Sequence, residues 1–357
     1  MARTIVGLEI TDESVRAVEV SGGRTPTILA AGEVPLPADA ARDSEVLDPD
    51  AVAVAIRQLW SRAGISGKRV ILGIGSRRVL VREYSTQAMK PELLRQSLPF
   101  QVQDLLPVPV SQAVLDFYPF AEEDGQVHGL LVAAVAETIE TLIATLAKAK
   151  LTVDLVDLVP FGLARVAQRV GRPGEATAMV HIGDHTSYVV VSIDGIPRFV
   201  RIIPIDLPTA AVRARARMAQ VAVAREPVAE LALSGAAVHA VAIGGAATAT
   251  SVFDRPRAAL RAEAETAPAV ADFAERVRST LAFYRNRPGS APITAVCVSG
   301  AGFAAEGMRG EIARALDRPP QVVTGRAILP AHGLKDPSTD LDLNLVPTIG
   351  LVLGEFA

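Results

Sequence analysis

Cysteine and aromatic residues are scarce in this sequence. Cys297 is the one cysteine among 357 residues, and Phe, Trp and Tyr together make up 4%. A single cysteine excludes an intrachain disulfide framework and a cysteine-based metal site. Cys297 stands in the apolar run ITAVCVSG, so we interpret it as a buried, reduced thiol of a cytoplasmic protein.

The charge balance and the apolar runs exclude two further classes of protein. The net charge is −3, and no basic cluster with interleaved aromatic residues is present, so we expect no nucleic-acid partner. No uncharged apolar run reaches the ~18–20 residues of a membrane helix. The nearest one, HGLLVAAVAETIETLIATLAKAK, is interrupted by Glu137 and Glu140. Because Glu9 precedes any apolar segment of signal-peptide length, we expect a cytoplasmic protein that reaches a membrane through a partner.

Signatures of common catalytic sites are also missing. No Ser-His-Asp arrangement, P-loop lysine motif or zinc signature stands out. This lowers the expectation of a metabolic enzyme, and we assign no catalytic residue and no metal ligand from the sequence.

What the sequence does contain is one pattern that occurs twice. IVGLEITDESVRAVEV near the start and MVHIGDHTSYVVVSID near the middle each read as a strand, a short polar loop and a second strand. Aligning Ile10 with Ile182 places Thr11 on Gly183 in the two loops. The same alignment places Asp12 on Asp184 and Ser14 on Thr186. The sequence therefore predicts an α/β protein built by duplication.

The chain is long enough for two domains. Local signals are clear in places: Asp48 suits a helix N-cap, Pro49 the first helical position and Gly64 the helix end. A second helix is predicted to begin at Pro91 and to end at Pro107 and Pro109. The predicted organisation is a first core of residues 1–81 and 159–174 with a small α+β insertion at 82–158, and a second core of residues 175–210 and 290–357 with a helical and β insertion at 211–289.

The two polar loops suggest an anion site between the halves. Tight turns present consecutive backbone N–H groups, which bind phosphate. A third turn in VSGAGFAAEGM places Gly300 and Gly302 between a strand and a helix, where a ligand could approach the backbone closely. Together the three turns predict a nucleotide-sized cleft.

Several stretches carry a resemblance to a known family. The order of the loops resembles the actin-like ATPase superfamily, with its ribonuclease H-like duplicated fold. More closely, the chain resembles type IV pilus assembly proteins of the PilM family, which are related to the division protein FtsA. The resemblance spans nearly the whole chain and is carried by GLEITDESVRAVEV, LPFQVQDLLPVPVSQAVLDFYPF, VDLVPFGLARV, IDGIPRFVRIIPI and FAERVRSTLAFYRNR.

The resemblance implies a cleft for ATP with Mg²⁺. If that function is retained, the nucleotide-binding residues would be Thr11, Asp12, Glu13, Ser14, Arg16, His181, Gly183, Asp184, His185, Thr186, Gly300, Ala301 and Gly302.

This sequence departs from the family pattern at both phosphate loops. Glu9 and Thr11 stand at the positions of the family's Asp and Gly, and His181 at that of the metal-facing Asp. Asp12, Glu13, Asp184 and His185 replace small residues. A carboxylate about 4 Å from a phosphate costs on the order of a few kcal/mol at an effective dielectric near 20, unless it turns away or Mg²⁺ bridges the two. Two alternatives stay open: a degenerate cleft, or retained ATP binding.

Some polar residues admit a second interpretation. His181, Asp184 and His185 could hold a metal or could simply line the pocket. Asp12 and Glu13 could act as an acid–base pair or form an ordinary turn. A series of arginines could contact acidic partners or form a solvated helix face, namely Arg213, Arg215, Arg217 and Arg225. Asp116 and Trp60 are interpreted as structural.

The function implied by the resemblance is that of a scaffold in a type IV pilus-like machine. Such a protein holds the short cytoplasmic tail of a bitopic, PilN-like membrane protein in a groove between the first core and its insertion. It would also contact other assembly proteins and could self-associate. For the groove, the sequence suggests Leu93, Leu94, Phe100, Phe117 and Tyr118.

Two other functions remain open at this point. The first is a working ATPase of the actin or sugar-kinase type, which would need a catalytic Asp that nothing in the sequence marks. The second is an FtsA-like filament protein at a membrane. That class calls for a C-terminal amphipathic helix, yet NLVPTIGLVLGEFA has no basic face.

Overall fold

The computed structural model describes residues 4–207, 209, 211–213, 254–317, 319–331 and 338–356, and for 254–266 it describes the backbone only. Arg215, Arg217, Arg225 and much of the predicted insertion at 211–289 therefore lie outside the described residues.

The first half consists of a β-meander, a helix and further strands, with an inserted sheet. Its elements are β1 (Thr4–Ile10), β2 (Ser14–Ser21), β3 (Ile28–Pro35), β4 (Ala41–Arg42), β5 (Glu45–Val46), α1 (Pro49–Ala63), β6 (Arg69–Ile74), β7 (Leu80–Gln87), α2 (Pro91–Val102), β8 (Ala113–Glu123), β9 (Gln126–Val135), α3 (Ala136–Lys148), β10 (Thr152–Leu158) and α4 (Val159–Val170).

The second half repeats the meander. Its described elements are β11 (Ala176–Ile182), β12 (Thr186–Ile193), β13 (Ile196–Pro204), α5 (Asp254–Arg285), β14 (Ile293–Ser299), α6 (Met308–Ala315), β15 (Gln321–Val322), α7 (Gly325–Ile328) and α8 (Thr339–Leu353). No helix in these described ranges is long and apolar enough to cross a bilayer.

The strand order confirms the duplication. The first sheet runs β3-β2-β1-β6-β10 and the second runs β13-β12-β11-β14-β15. In each sheet an antiparallel meander is followed by two strands parallel to its first strand. Since β1 and β11 hold equivalent positions, the turns that follow them are equivalent as well. The fold is thus the predicted α/β, actin-like duplication.

Local sequence signals place α1 as predicted. The Asp48 side chain accepts hydrogen bonds from the backbone N–H groups of Asp50 and Ala51, both at 3.0 Å, and Gly64 ends the helix in the left-handed conformation. Trp60 packs against the core and donates from Nε1 to the Gly67 carbonyl at 2.7 Å. Cys297 is buried, and burial raises its thiol pKa to about 11.

The insertion is smaller than the sequence suggests. Its sheet has the order β7-β9-β8, and α2 covers one face through Leu98 and Val102. The strand β10, predicted within the insertion, instead pairs with β6 of the first sheet, because its apolar residues complete that core. The helix α2 ends at Val102, ahead of the predicted Pro107, since a short 3₁₀ turn at Gln103–Leu105 follows it.

Two helices exchange partners between the halves. α4 follows the first half in sequence but packs on β11 and β12, whereas α8, from the end of the chain, packs on β1, β2 and β6. The assignment of all of 290–357 to the second core is therefore corrected for α8. α5 also belongs to a core and not to an insertion, because Val270, Phe273 and Val277 are buried against the second sheet.

The crossing of α4 and α8 requires glycine. A Cβ atom on Gly350 would lie 2.2 Å from the Gly162 carbonyl oxygen, and one on Gly162 would lie 2.9 Å from the Pro347 carbonyl oxygen. Arg165 of α4 donates to the Gly350 carbonyl at 3.1 Å and pairs with Asp157 at 2.6 Å. Backbone contact between these helices therefore joins the two halves.

Replacing Gly350 with alanine is expected to destabilise the protein. The new methyl group must push the two backbones apart, so we expect G350A to lower the free energy of unfolding by about 1–3 kcal/mol, measured by urea denaturation. G310A is the matched control, because a Cβ on Gly310 in α6 meets nothing within 4 Å. At that position the better helix propensity of alanine should raise the free energy of unfolding by up to ~1 kcal/mol. Equal stability of G350A and wild type would contradict this account of the crossing.

Candidate functional site

The equivalent turns of the two sheets face each other around a small cavity. Loop 1 (residues 11–13) joins β1 to β2, and loop 2 (residues 183–185) joins β11 to β12. The cavity between them has a volume of about 30 Å³, room for about two water molecules. Of the residues suggested by the sequence, those that line it are Thr11, Asp12, Arg16, His181, Gly183, Asp184, His185 and Thr186.

A hydrogen bond across the cavity joins equivalent positions of the two copies. Glu13 and His185 are each the third residue after the last isoleucine of β1 and β11. His185 Nε2 lies 2.7 Å from Glu13 Oε1, and its Nδ1 lies 2.7 Å from Asp206 Oδ1. The bond to Glu13, supported by Asp206, raises the His185 pKa to about 9. His185 is therefore a cation at neutral pH, held between two carboxylates.

Arg16 is the buried centre of a second charged contact. The strand register places Arg16 opposite Glu9 on one side and Glu33 on the other. Its Nε lies 3.2 Å from Glu33, and its Nη2 lies 3.7 Å from Asp184 of loop 2. Burial opposes the charge, yet Glu33, Glu9 and Asp184 together outweigh burial and raise the Arg16 pKa. This guanidinium thus connects the two halves.

The carboxyl groups around Arg16 are themselves held by hydroxyl groups. Thr348 of α8 donates to Glu9, and Thr209 donates to Asp184. Burial raises the pKa of both carboxyl groups, against the opposing effect of Arg16. These acids are fixed in place by partners from distant parts of the chain.

Neutral polar groups complete the cavity on the side of the second sheet. His181 Nδ1 lies 2.9 Å from Ser299 Oγ, and the imidazole stacks on Tyr188 with 6.1 Å between ring centres. Burial, reinforced by Arg16, lowers the His181 pKa to about 3, so this ring is neutral. Tyr188 donates to the Gly75 carbonyl at 2.9 Å, a third contact between the halves.

The third predicted turn lies behind loop 2 and does not line the cavity. A Cβ atom on Gly300 would lie 2.2 Å from the Ile182 carbonyl oxygen, so the turn packs directly on the end of β11. The Ala301 N–H donates to Asn344 Oδ1 at 2.8 Å. Gly300, Ala301 and Gly302 are buried, and this N–H is already used by α8. Ser14 also points elsewhere and donates to Glu33.

The residues suggested for a partner groove do not share one surface. Leu93 and Phe100 of α2 are 54% and 79% exposed, and Leu94 is half-buried. Phe117 packs against α2, whereas Tyr118 points to the opposite face of β8 and contacts Phe161. This follows from the alternation of side chains along a strand.

Within the described part of the chain, no group of three or more His, Cys, Asp and Glu side chains is arranged to hold a metal ion. His181 and His185 bond to different partners, Ser299 and Glu13. Asp12 Oδ1 accepts from the Ser44 N–H at 3.2 Å, which orders its turn. Asp116 accepts from the adjacent Phe117 N–H at 2.8 Å, a local bond.

Sequence reasoning missed several partners of the cavity. A signal existed for one pair: Glu9 and Arg16 are charged residues within otherwise apolar strands, and the meander register puts them opposite each other. Glu33 could have been added from the same register. The others have no local signal because they come from distant segments, namely Ser44, Tyr188, Asp206, Thr209 and Thr348.

Two equivalent five-stranded sheets, with a cavity between equivalent turns, define an actin-like two-domain protein. A solved structure of the ethanolamine utilization protein EutJ from Carboxydothermus hydrogenoformans has a similar fold, with 16% identity and a TM-score of 0.51 over 99% of this chain and 90% of that one. A structure described as a PilM-PilN type IV pilus biogenesis complex is more similar, with 20% identity and a TM-score of 0.75 over 99% of this chain and 98% of that one. The family profile of type IV pilus assembly protein PilM matches residues 7–201, more than half of the chain, so the chain belongs to the PilM family.

The pH dependence of stability should report the contact between Glu13 and His185. A histidine whose pKa is raised by folding stabilises the protein fully below its unfolded pKa of about 6.5, and this contribution is lost as pH rises through about 9. We expect H185Q to lower the thermal midpoint at pH 6 and to have a much smaller effect at pH 10. NMR titration provides the direct measurement, with His181 as the internal control that stays neutral down to about pH 3. A His185 midpoint near 6.5 would rule out the contact.

Proposed function

We propose that this protein is a scaffold of a type IV pilus-like assembly machine that holds the cytoplasmic tail of a PilN-like bitopic membrane protein. The membership of the PilM family supports this proposal, as does the similarity to a structure whose description names a PilM-PilN complex. On this proposal the protein lies at the cytoplasmic face of the inner membrane through its partner. Contacts with other assembly proteins and self-association belong to the same proposal.

The tail site that the geometry favours is a narrow apolar seam between the first core and the insertion. Ile74, Val79 and Ile139 of α3 line it from the core side, and Ala134 of β9 lines it from the insertion side. Its cavity of about 10 Å³ admits one water molecule, so a tail would enter by moving the insertion slightly away from the core.

A half-buried carboxyl group at this seam, with one buried oxygen, supports recognition of a peptide. Glu45 Oε2 accepts from Arg78 at 2.7 Å, while its Oε1 is buried and has no hydrogen-bond partner among the described residues. A buried acceptor without a partner is costly. A backbone N–H or a basic side chain of an entering tail would satisfy it, and apolar tail residues would fill the seam.

The exposed residues of α2 form the other candidate surface for the tail. Leu93 and Phe100 are large apolar side chains in contact with solvent, as suggested from the sequence. They lack the enclosed pocket and the buried acceptor of the seam, so we place the tail in the seam.

Binding of a synthetic tail peptide from the cognate PilN-like protein tests the proposal. We expect T138R, which fills the seam, to weaken binding by about tenfold or more, equivalent to ~1.4 kcal/mol, in isothermal titration calorimetry. A144R introduces the same side chain at an exposed position of the same helix α3 and should bind as wild type does.

The double variant L93E/F100E separates the two surfaces. Loss of binding in this variant alone would move the tail to α2, and the scaffold proposal would stand. No binding by the wild-type protein would overturn the proposal itself.

We also propose that the cleft is a structural contact between the halves and does not take ATP with Mg²⁺. The observation that supports this is the hydrogen bond that His185 Nε2 donates to Glu13 Oε1 across the space between the two loops. The cavity of about 30 Å³ is far below the ~300 Å³ or more of typical ligand pockets. The Thr11 N–H is used within its own turn, donating to the Ser14 carbonyl at 2.9 Å.

Charge adds to this argument. Asp12, Glu13 and Asp184 surround the place where phosphates would lie, and each carboxylate about 4 Å from a phosphate charge would cost about 4 kcal/mol at an effective dielectric near 20. Arg16 is already engaged by acids of this chain. The residues present therefore do not fit a triphosphate in this arrangement.

Calorimetry with ATP and Mg²⁺ tests the proposal for the cleft. We expect no measurable heat of binding and no phosphate release above background. Titration of the tail peptide into the same preparation is the control for competent protein. Micromolar ATP binding with turnover would contradict the proposal and establish a working ATPase.

A further inference from the structure

A second groove, on a different surface from the seam, lies where the inserted sheet meets the second core. Its cavity has a volume of about 600 Å³. Three successive residues of β7 line one side, Val81, Arg82 and Glu83. Three successive residues of β13 line the other, Phe199, Val200 and Arg201.

The groove runs along two free strand edges. Successive side chains of a strand point to opposite faces of its sheet, so three in a row can border one cavity only along the strand's edge. Both β7 and β13 are terminal strands of their sheets, and an edge strand carries backbone N–H and C=O groups that can pair with another strand. The groove thus offers main-chain pairing on either side.

Contacts next to the groove join the two edges, and β7 and β13 also touch each other. Arg198 lies over the Phe120 ring, with its guanidinium carbon 4.9 Å from the ring centre, and donates to the Phe120 carbonyl at 3.0 Å. Arg287 pairs with Glu83 and lies 5.7 Å from the centre of the Phe199 ring. The insertion and the second core therefore form one recess.

The lining combines apolar side chains with uncompensated positive charge. Leu130 and Phe199 are buried at the wall, and Phe283 of α5 is 63% exposed, an aromatic available to a partner. Glu83 and Arg287 neutralise each other. Arg82 and Arg201 are exposed, and neither has an ion-pair partner in the described ranges of the chain.

We propose that this groove binds an extended acidic segment of a partner protein by β-strand addition. The free edges supply main-chain hydrogen bonds, Phe283 and Leu130 receive a large apolar side chain, and Arg82 and Arg201 pair with carboxylates of the segment. The proposal does not depend on the tail-binding proposal, since the two sites share no lining residue.

Selection from a library of displayed random peptides of about ten residues, which span roughly 33 Å when extended, tests it. We expect enrichment of peptides that alternate acidic and large apolar residues. R82E/R201E should weaken the binding of a selected peptide by about tenfold or more, and F283S should also weaken it. R24E/R62E makes the same change of charge at exposed arginines elsewhere and should leave binding unchanged.

Hydrogen exchange gives the structural readout. On addition of the selected peptide, amides of β7 and β13 should gain protection. Failure to enrich acidic peptides, full affinity in R82E/R201E, or protection confined to other strands would overturn the proposal. Displacement of the peptide by inorganic phosphate alone would instead assign the groove to small anions, and would overturn it as well.

Discussion

The relative placement of the two halves depends on a contact between equivalent positions of loop 1 and loop 2. When two copies of a fold face each other, equivalent residues meet near the axis that relates them, and identical charges would repel there. Here one copy carries Glu13 and the other His185, so the meeting is a hydrogen bond of 2.7 Å. Arg16 and Tyr188 make further contacts between the halves, to Asp184 and to the Gly75 carbonyl.

The buried charges around Arg16 define geometry more than they add stability. Desolvation of ionic groups offsets much of their mutual attraction, so a buried ion pair is weak evidence for a stabilising role. Removing one member is nevertheless costly, because the others stay buried without compensation. Glu33 lies in the first sheet and Asp184 in loop 2 of the second half. The guanidinium can satisfy both only in one relative placement of the halves.

Much of the fold was predictable, because it follows from local and repeated patterns. The matched loops, the cap at Asp48 and the helix start at Pro91 each indicated an element that the structure contains. The errors concern residues whose partners are far away in sequence. No local sequence signal in β10 indicates that this strand completes the first sheet. No local signal in α8 indicates that this helix packs on the other half. The loops of the cavity were identified because their pattern is local and repeated. The acid and hydroxyl partners of the cavity, such as Asp206 and Thr348, were missed because they come from distant segments.

The exchange of α4 and α8 between the halves has a consequence for biosynthesis. The face of the first sheet that α8 covers has no cover from its own half, so it stays open while the ribosome translates the rest of the chain. The second sheet differs, because α4, the helix that packs on it, is synthesised before its strands. The N-terminal half thus cannot finish folding before the last turns of α8 emerge. During that interval an apolar sheet face is exposed to chaperones and to other nascent chains.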